Sequence, residues 1–241
     1  MRRFRPLVLC YHAVSDSWPS GLSVGSREIE RQLRVVLGRG YRPGTADDAL
    51  DGSRRVLHVT FDDAYRSVAT FLPTLEQLGL PVTVFACATY ADGGTRLDIA
   101  ELAHENAAHP EETLTLDWDA LRDLAERSVE IGSHTLTHPH LTQLGDTELD
   151  RELRESRERL EAKLHRPCRF LSYPYGDEDA RVHRAAQAAG YEAAFALPGR
   201  DGPVNRYALP RVGIYRRDSG VRFVLKTSPL FRRAASVLRV T

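Results

Sequence analysis

Val56-Leu57-His58-Val59-Thr60-Phe61-Asp62-Asp63 is an apolar run that ends on two adjacent carboxylates. A continuous apolar run of about 4–8 residues rich in valine fits a strand covered on both faces, the kind found in parallel sheets. Similar runs recur at Leu7–Tyr11, Val82–Ala86, 129–133, 169–173, 193–197 and 209–214. Longer helical patterns lie between them, near 27–38, 64–78, 118–127, 146–165 and 178–189. Strand–helix alternation predicts parallel βαβ units. The expected class is therefore α/β, a distorted (β/α) barrel with about seven parallel strands.

The remaining patterning agrees with one domain. Gly40, Gly79 and Gly190 stand where helices end. Leu149, Leu153, Leu160 and Leu164 share one face of the 146–165 stretch, which predicts a surface helix that packs its leucines inward. Residues 91–115 are polar and aperiodic and read as a long loop on the barrel rim. No repeat or Pro/Gly-rich linker divides the 241 residues. The expectation is a single catalytic domain over 1–241, with a core at about 7–215 and a basic segment at 216–241.

Composition narrows the partners. The chain is 42% apolar and 27% charged with zero formal net charge, so the molecule as a whole makes no case for nucleic acid. The charge is uneven: residues 206–241 carry nine Arg or Lys against one acid, Asp218, a net +8. Such a segment meets an acidic face of its own protein or an anionic membrane surface, and Arg222 through Arg232, Arg233 and Arg239 suggests peripheral membrane contact. Cys10, Cys87 and Cys168 form no CxxC pair and suit a reducing compartment. The basic start, Met1 to Arg5, precedes an apolar stretch too short for a signal-peptide core, and no run reaches the roughly 20 residues of a membrane span. The expected location is cytoplasmic, with the membrane-peripheral alternative.

In a parallel barrel the active site lies at the C-terminal ends of the strands. Asp62-Asp63, Ser133-His134-Thr135-Leu136-Thr137-His138 and Tyr173-Pro174-Tyr175-Gly176 all follow predicted strands, so all three fall on one face. An aspartate pair alone is usually a solvated turn, and a lone HxxxH is more often surface or core. Together they supply three metal ligands and a spare carboxylate, the set a hydrolytic metal site needs. Adjacent carboxylates resist joint ionisation unless a cation compensates one of them.

These motifs resemble the polysaccharide deacetylases, the NodB-like fold of carbohydrate esterase family 4. Thr60-Phe61-Asp62-Asp63 is similar to the family's first motif, His134-Thr135-Leu136-Thr137-His138 to the second, and Tyr173-Pro174-Tyr175-Gly176 to the third. The flanks Pro81 to Phe85 and Glu130 to Ser133 agree, and the resemblance spans roughly 7 to 215. It implies metal-dependent hydrolysis of N-acetyl groups from an N-acetylhexosamine-containing glycan or glycoconjugate. It also implies that Asp63, His134 and His138 hold the metal, that Asp62 is the base, and that the backbone N–H of Tyr175 helps hold the oxyanion. The donor set suits zinc, with cobalt, nickel or iron also compatible.

The sequence departs from the family pattern twice. The slot of the arginine that orients the base holds Ser172, and the C-terminal stretch Leu209-Pro210-Arg211-Val212-Gly213 lacks the family's histidine. Arg211 is the expected substitute for the arginine. His12, ending the first strand in Leu9-Cys10-Tyr11-His12, is the candidate third functional histidine, and its YH pair resembles the branch acting on β-1,6-linked poly-N-acetylglucosamine. Tyr173, Trp118 and Tyr65 are candidate sugar contacts, although Trp118 equally suits the first apolar anchor of its helix. Two other activities fit the motifs: the same metal site acting on another non-peptide amide, and a glycan-binding relative without turnover.

Overall fold

Every apolar run named above forms a strand, and the strands pair in parallel. The computed structural model describes residues 6–197 and 205–229. The chain opens with β1 (Leu7–Tyr11), the two-residue strands β2 (Ala13–Val14) and β3 (Ser23–Val24), α1 (Ser26–Gly38), β4 (Arg42–Pro43) and α2 (Ala46–Asp51). It continues through β5 (Val56–Phe61), α3 (Ser67–Gln77), β6 (Val82–Ala86), α4 (Ala103–Ala108), α5 (Trp118–Glu126), β7 (Glu130–Ser133) and α6 (Asp146–Leu164). β8 (Phe170–Ser172), α7 (Ala180–Ala188), β9 (Ala193–Ala196), β10 (Leu209–Pro210), β11 (Val212–Gly213) and α8 (Gly220–Lys226) complete it.

The main sheet runs β10-β9-β8-β7-β6-β5-β1-β11, with β4 added beside β5. This is the expected parallel barrel, nearly closed, with eight strands on its path instead of about seven. The difference arises at the predicted strand 209–214, which is two strands. Leu209 and Pro210 pair with β9, whereas Val212 and Gly213 pair with β1 at the other edge. One short segment thus joins both edges of the sheet, and Arg211 sits at the changeover.

Side-chain parity divides the core in two. Leu7, Leu9, Tyr11, Leu57, Val59 and Phe61 pack outward in the layer shared with the helices. Val8, Val56, Phe85, Phe170 and Phe195 fill the barrel interior. Strand side chains alternate faces, so the inward set on β5 continues from Val56 through His58 and Thr60 to Asp62. The same parity on β1 and β8 carries Cys10, His12 and Ser172 toward the interior.

The helices follow their sequence signals. Asp117 caps α5 by accepting from Ala120 N at 2.9 Å, and Asp179 caps α7 by accepting from Val182 N at 2.8 Å. Leu149, Leu153, Leu160 and Leu164 are buried along α6, as their spacing predicts. The stretch 91–115 is more ordered than the expected loop: a 3-10 turn at Ala100–Leu102 leads directly into α4. α8 stops at Lys226, ahead of Pro229; Arg232, Arg233 and Arg239 lie outside the described residues. Among the described residues no helix is long and apolar enough to cross a membrane.

Candidate active site

At the end of β5 the two aspartates part company. Asp62 ends the inward parity of its strand, and its backbone N–H donates to Tyr11 O at 2.9 Å. Its carboxylate is buried and fully engaged: Arg211 Nη1 donates to Oδ1 at 2.7 Å and Nη2 to Oδ2 at 2.8 Å. Ser172 Oγ donates to Oδ2 at 3.1 Å and also accepts from Arg211 Nη2 at 2.6 Å. Cys10 Sγ lies 3.4 Å from the same oxygen. Arg211 therefore reaches Asp62 from the barrel's closing segment. At Asp63 and Ala64 the backbone enters the left-handed region (φ 66 and 48), which carries the Asp63 side chain out of the strand's alternation.

A second strained turn follows β7. Thr135 and His138 also have positive φ (70 and 65), a conformation that persists only where the surroundings enforce it. The buried carboxylate of Glu152 on α6 does much of that enforcing. Its Oε2 accepts from Leu136 N at 3.0 Å and Thr137 N at 2.9 Å, and its Oε1 from Thr137 Oγ1 at 2.7 Å. Ser133 Oγ accepts from Thr135 N at 3.1 Å and reaches Ser156 Oγ on α6 at 2.9 Å.

The turn brings His134, His138 and Asp63 together. His134 Nε2 and His138 Nε2 lie 3.5 and 3.4 Å from Asp63 Oδ1, and the three ligand atoms all fall within 4.8 Å of one another. Tetrahedral ligands at about 2.0–2.1 Å from a zinc-sized ion stand roughly 3.3–3.4 Å apart, so the cluster has metal-site spacing. His134 Nδ1 donates to Ser172 O at 2.8 Å, which turns Nε2 with its lone pair toward the cluster. Asp63 Oδ1 is buried without a hydrogen-bond donor. The donor set and the orphaned oxygen both fit a divalent cation.

The charges are set by burial and pairing. Burial alone raises the pKa of Asp62, but the adjacent Arg211 charge overrides it, and His134 adds to the lowering; Asp62 stays ionised far below the usual carboxylate range. Burial likewise opposes the Asp63 anion, and the close approach of His138, with Nε2 3.4 Å from Oδ1, outweighs it to hold the pKa below normal. Burial pulls His134 down to about 4, so its imidazole is neutral near pH 7 and ready to ligate. Burial pushes the Cys10 thiol well up, which keeps it protonated beside Asp62.

Above the cluster opens a cavity of about 730 Å³ lined by Asp62, Asp63, His134, His138, His12 and Tyr175 among others. The His12 ring stacks on Tyr215 at 6.0 Å, and its Nδ1 is buried without a partner. Tyr175 has φ 59, stacks on His140 at 3.9 Å and donates its hydroxyl to Glu101 at 3.2 Å. Gly176 beside it admits no side chain, since a Cβ would fall 1.3 Å from Leu197 O. Tyr173 is buried in the same wall and donates its hydroxyl to Tyr207 O at 2.9 Å.

Two expected sugar contacts are corrected. Trp118 begins α5, is buried in the outer core, and satisfies its indole by donating to Asp92 Oδ1 at 2.6 Å; it does not reach the cavity. Tyr65 is fully buried against Ala13 and Trp18 and is closed to substrate.

A family model described as "Polysaccharide deacetylase" matches residues 49–194, which include both aspartates and both histidines. The chain belongs to the polysaccharide deacetylase family. Its reaction class is accordingly the deacetylation of carbohydrate. The chain is 24% identical over 228 residues to YxkH of Bacillus subtilis (strain 168), covering 90% of this chain and 74% of that protein. It superimposes on the Streptococcus pyogenes deacetylase PplD, solved in complex with acetate, with a TM-score of 0.75 at 17% identity; the match covers 92% of this chain and 98% of that one. IcaB from Ammonifex degensii gives a TM-score of 0.74 at 22% identity over 95% and 97%. These structural likenesses agree with the deacetylase barrel.

Three residues of this candidate site carry no motif signal in the sequence. Glu152 looks like one more charge on a charged helix, and only the missing apolar residue at an otherwise buried position hints at its role. Tyr215 and Glu101 lie outside every motif, and both line the cavity.

Proposed function

We propose that the chain is a divalent-metal-dependent N-deacetylase acting on an N-acetylhexosamine-containing glycan or glycoconjugate. The observation that carries this reading is the division within the aspartate pair. Asp62 is neutralised by Arg211, whereas Asp63 Oδ1 faces His134 and His138 with no donor of its own. Asp63, His134 and His138 would hold the metal, with zinc the best match and cobalt, nickel or iron compatible. When bound, such an ion supplies Lewis acidity toward the amide carbonyl and acidifies water toward neutral pH.

The chain's own residues do the rest. Asp62 receives the proton of the attacking water on Oδ1 or Oδ2, and the Arg211 fork and Ser172 fix its orientation. The backbone N–H of Tyr175 donates to the oxygen that becomes negative as the carbonyl carbon turns tetrahedral. His12 delivers a proton to the departing sugar nitrogen. Acetate and a free amine result.

The test is acetate release from N-acetylglucosamine oligomers, with matching appearance of amines. The expected result is activity that disappears with a chelator and returns with added zinc or cobalt. Protein that carries its metal yet releases no acetate from any acetylated amino sugar overturns the reading.

A further inference from the structure

The cavity that reaches the aspartate pair has a second, basic end. Arg217, Arg222 and Lys226 line it, all from the chain that follows β11. Asp218 is buried beneath them and arranges two of the three. Its Oδ1 accepts from Arg222 Nε at 2.9 Å, and its Oδ2 accepts from Lys226 Nζ and from Tyr215 N at 3.0 Å. Because Asp218 engages only Nε, both Nη groups of Arg222 are left without a protein partner among the described residues. They form the fork that matches an oxyanion. Arg217 is exposed and makes no hydrogen bond or ion pair among the described residues. Three cations therefore answer to one carboxylate. The two glutamates on the lining are held by neutral donors: Glu105 accepts from Trp18 Nε1 at 2.6 Å, and Glu101 from the Tyr175 hydroxyl at 3.2 Å.

Tyr215 joins the two ends. His12 stacks on its ring at 6.0 Å, and Lys226 Nζ lies 4.9 Å from the centre of the same ring. Two ring contacts thus separate the group placed to protonate the leaving nitrogen from the first cation. A neutral N-acetylhexosamine brings no charge to answer the excess of three cations over the one carboxylate of Asp218. A phosphate ester offers three oxygens and about two negative charges to a fork, an ammonium and a second guanidinium. We propose that the basic end binds a phosphate substituent on the amino sugar whose N-acetyl group reaches the aspartate pair. This rests on the deacetylase reading above and deepens it to a phosphorylated substrate.

Titration calorimetry of the full chain with N-acetylglucosamine, its 1-phosphate and its 6-phosphate tests the proposal without requiring turnover. The expected result is about tenfold or tighter binding of at least one phosphate over the neutral sugar. That preference should collapse in the double variant Arg217→Gln/Arg222→Gln and survive in part in Arg222→Lys, which keeps the charge but loses the fork. On loaded enzyme, the ratio of kcat/KM for phosphorylated over neutral sugar should fall about tenfold in the double variant, with a thermal melt confirming that it folds. Equal binding of neutral and phosphorylated sugars overturns the proposal. So does a double variant that loses sedimentation with phosphatidylglycerol vesicles when neither sugar phosphate is preferred, which would assign the cations to a membrane surface. Preferential phosphate binding without acetate release from any sugar supports the anion site and sinks the deacetylase reading instead.

Discussion

Asp62 and Asp63 are neighbours in sequence, and the barrel builds opposite surroundings for them. The Asp62 carboxylate is fully engaged within the protein: it holds a bidentate guanidinium, a serine hydroxyl and a thiol, all buried. The Asp63 half is unfinished, with a buried oxygen lacking a donor and a buried His138 Nδ1 lacking a partner. A buried charge needs a partner. One half carries its cation in covalently, on Arg211; the other has the ligands and the spacing to bind one. On the proposed reading the difference divides two tasks, orientation of a base and capture of an ion, and the two halves should fail differently.

The largest effect should come from unpairing the finished half. Asp62→Asn should lower kcat by about 10²–10⁴-fold with the metal content unchanged. It should also destabilise the fold by about 3–5 kcal/mol, because it leaves Arg211 buried with an uncompensated charge. The double variant Asp62→Asn/Arg211→Met should regain much of that stability and none of the activity. Asp63→Asn should abolish metal uptake while shifting the metal-free stability by no more than about 1 kcal/mol. Denaturant melts and metal analysis of the set decide it; an equal stability cost for both single variants breaks the comparison.

Acid should separate the halves next. Burial holds both His134 and His58 at about 4, against 6.5 in an unfolded chain. A histidine whose folded pKa is lowered contributes stability that is whole above 6.5 and is lost as pH falls from 6.5 toward 4. The lowered pKa of Asp62 gives stability that is whole above the unfolded value of about 3.9 and is lost only below it. Between pH 6.5 and 4 the Asp62 half therefore stays charged while the histidine half is loaded with strain. Metal-free protein should lose stability across that window, by up to about 3 kcal/mol for each histidine. His58, which bridges Gly44 O and Thr83 Oγ1 and belongs to neither aspartate's set of partners, is the control: His58→Gln should remove about half the loss. A flat stability profile between pH 6.5 and 4 contradicts the buried neutral assignment.

Glu152 sharpens the comparison because it touches only the unfinished half. It holds the strained turn between His134 and His138 through three hydrogen bonds. Glu152→Gln, which cannot accept all three as a carboxylate does, should weaken metal affinity by about 10–100-fold. The Asp62–Arg211 pair should be undisturbed. If affinity is unchanged while activity falls, the turn serves substrate instead of metal.

What the sequence discloses follows the same division. Asp62, Asp63, His134 and His138 are legible because strand ends of a parallel barrel share a face, and local patterning locates strand ends. Arg211 is visible as a candidate, but its placement depends on 209–214 splitting between the two edges of the sheet, a matter of closure that no local period encodes. Glu152 is hidden because its partners are backbone N–H groups across a turn. Trp118 misleads because an aromatic near an acidic stretch looks like a sugar platform until Asp92 is seen to accept its indole N–H. Tyr65 misleads because its place just after the aspartates suggests a cavity contact, whereas the chain leaving the left-handed residues Asp63 and Ala64 packs its ring on Ala13 and Trp18.

Tyr65 also offers the smallest and most discriminating test. Its hydroxyl is buried without a hydrogen-bond partner, and burial first and the Asp63 charge second push its pKa well up, so it is a neutral phenol beside the unfinished carboxylate. An unpaired buried hydroxyl costs free energy that an apolar ring does not. If the oxygen is a passive neighbour, Tyr65→Phe should stabilise metal-free protein by up to about 1 kcal/mol and leave metal affinity within about threefold. If the hydroxyl turns to Asp63 once an ion is bound, the same variant should weaken metal affinity about tenfold, and the sign of its effect on melting should reverse between the metal-free and loaded forms. The ring is wedged edge-on against Trp18 at 5.5 Å and lies fully buried, so only the direction of the O–H bond is free to change, and the two outcomes differ by that rotation alone.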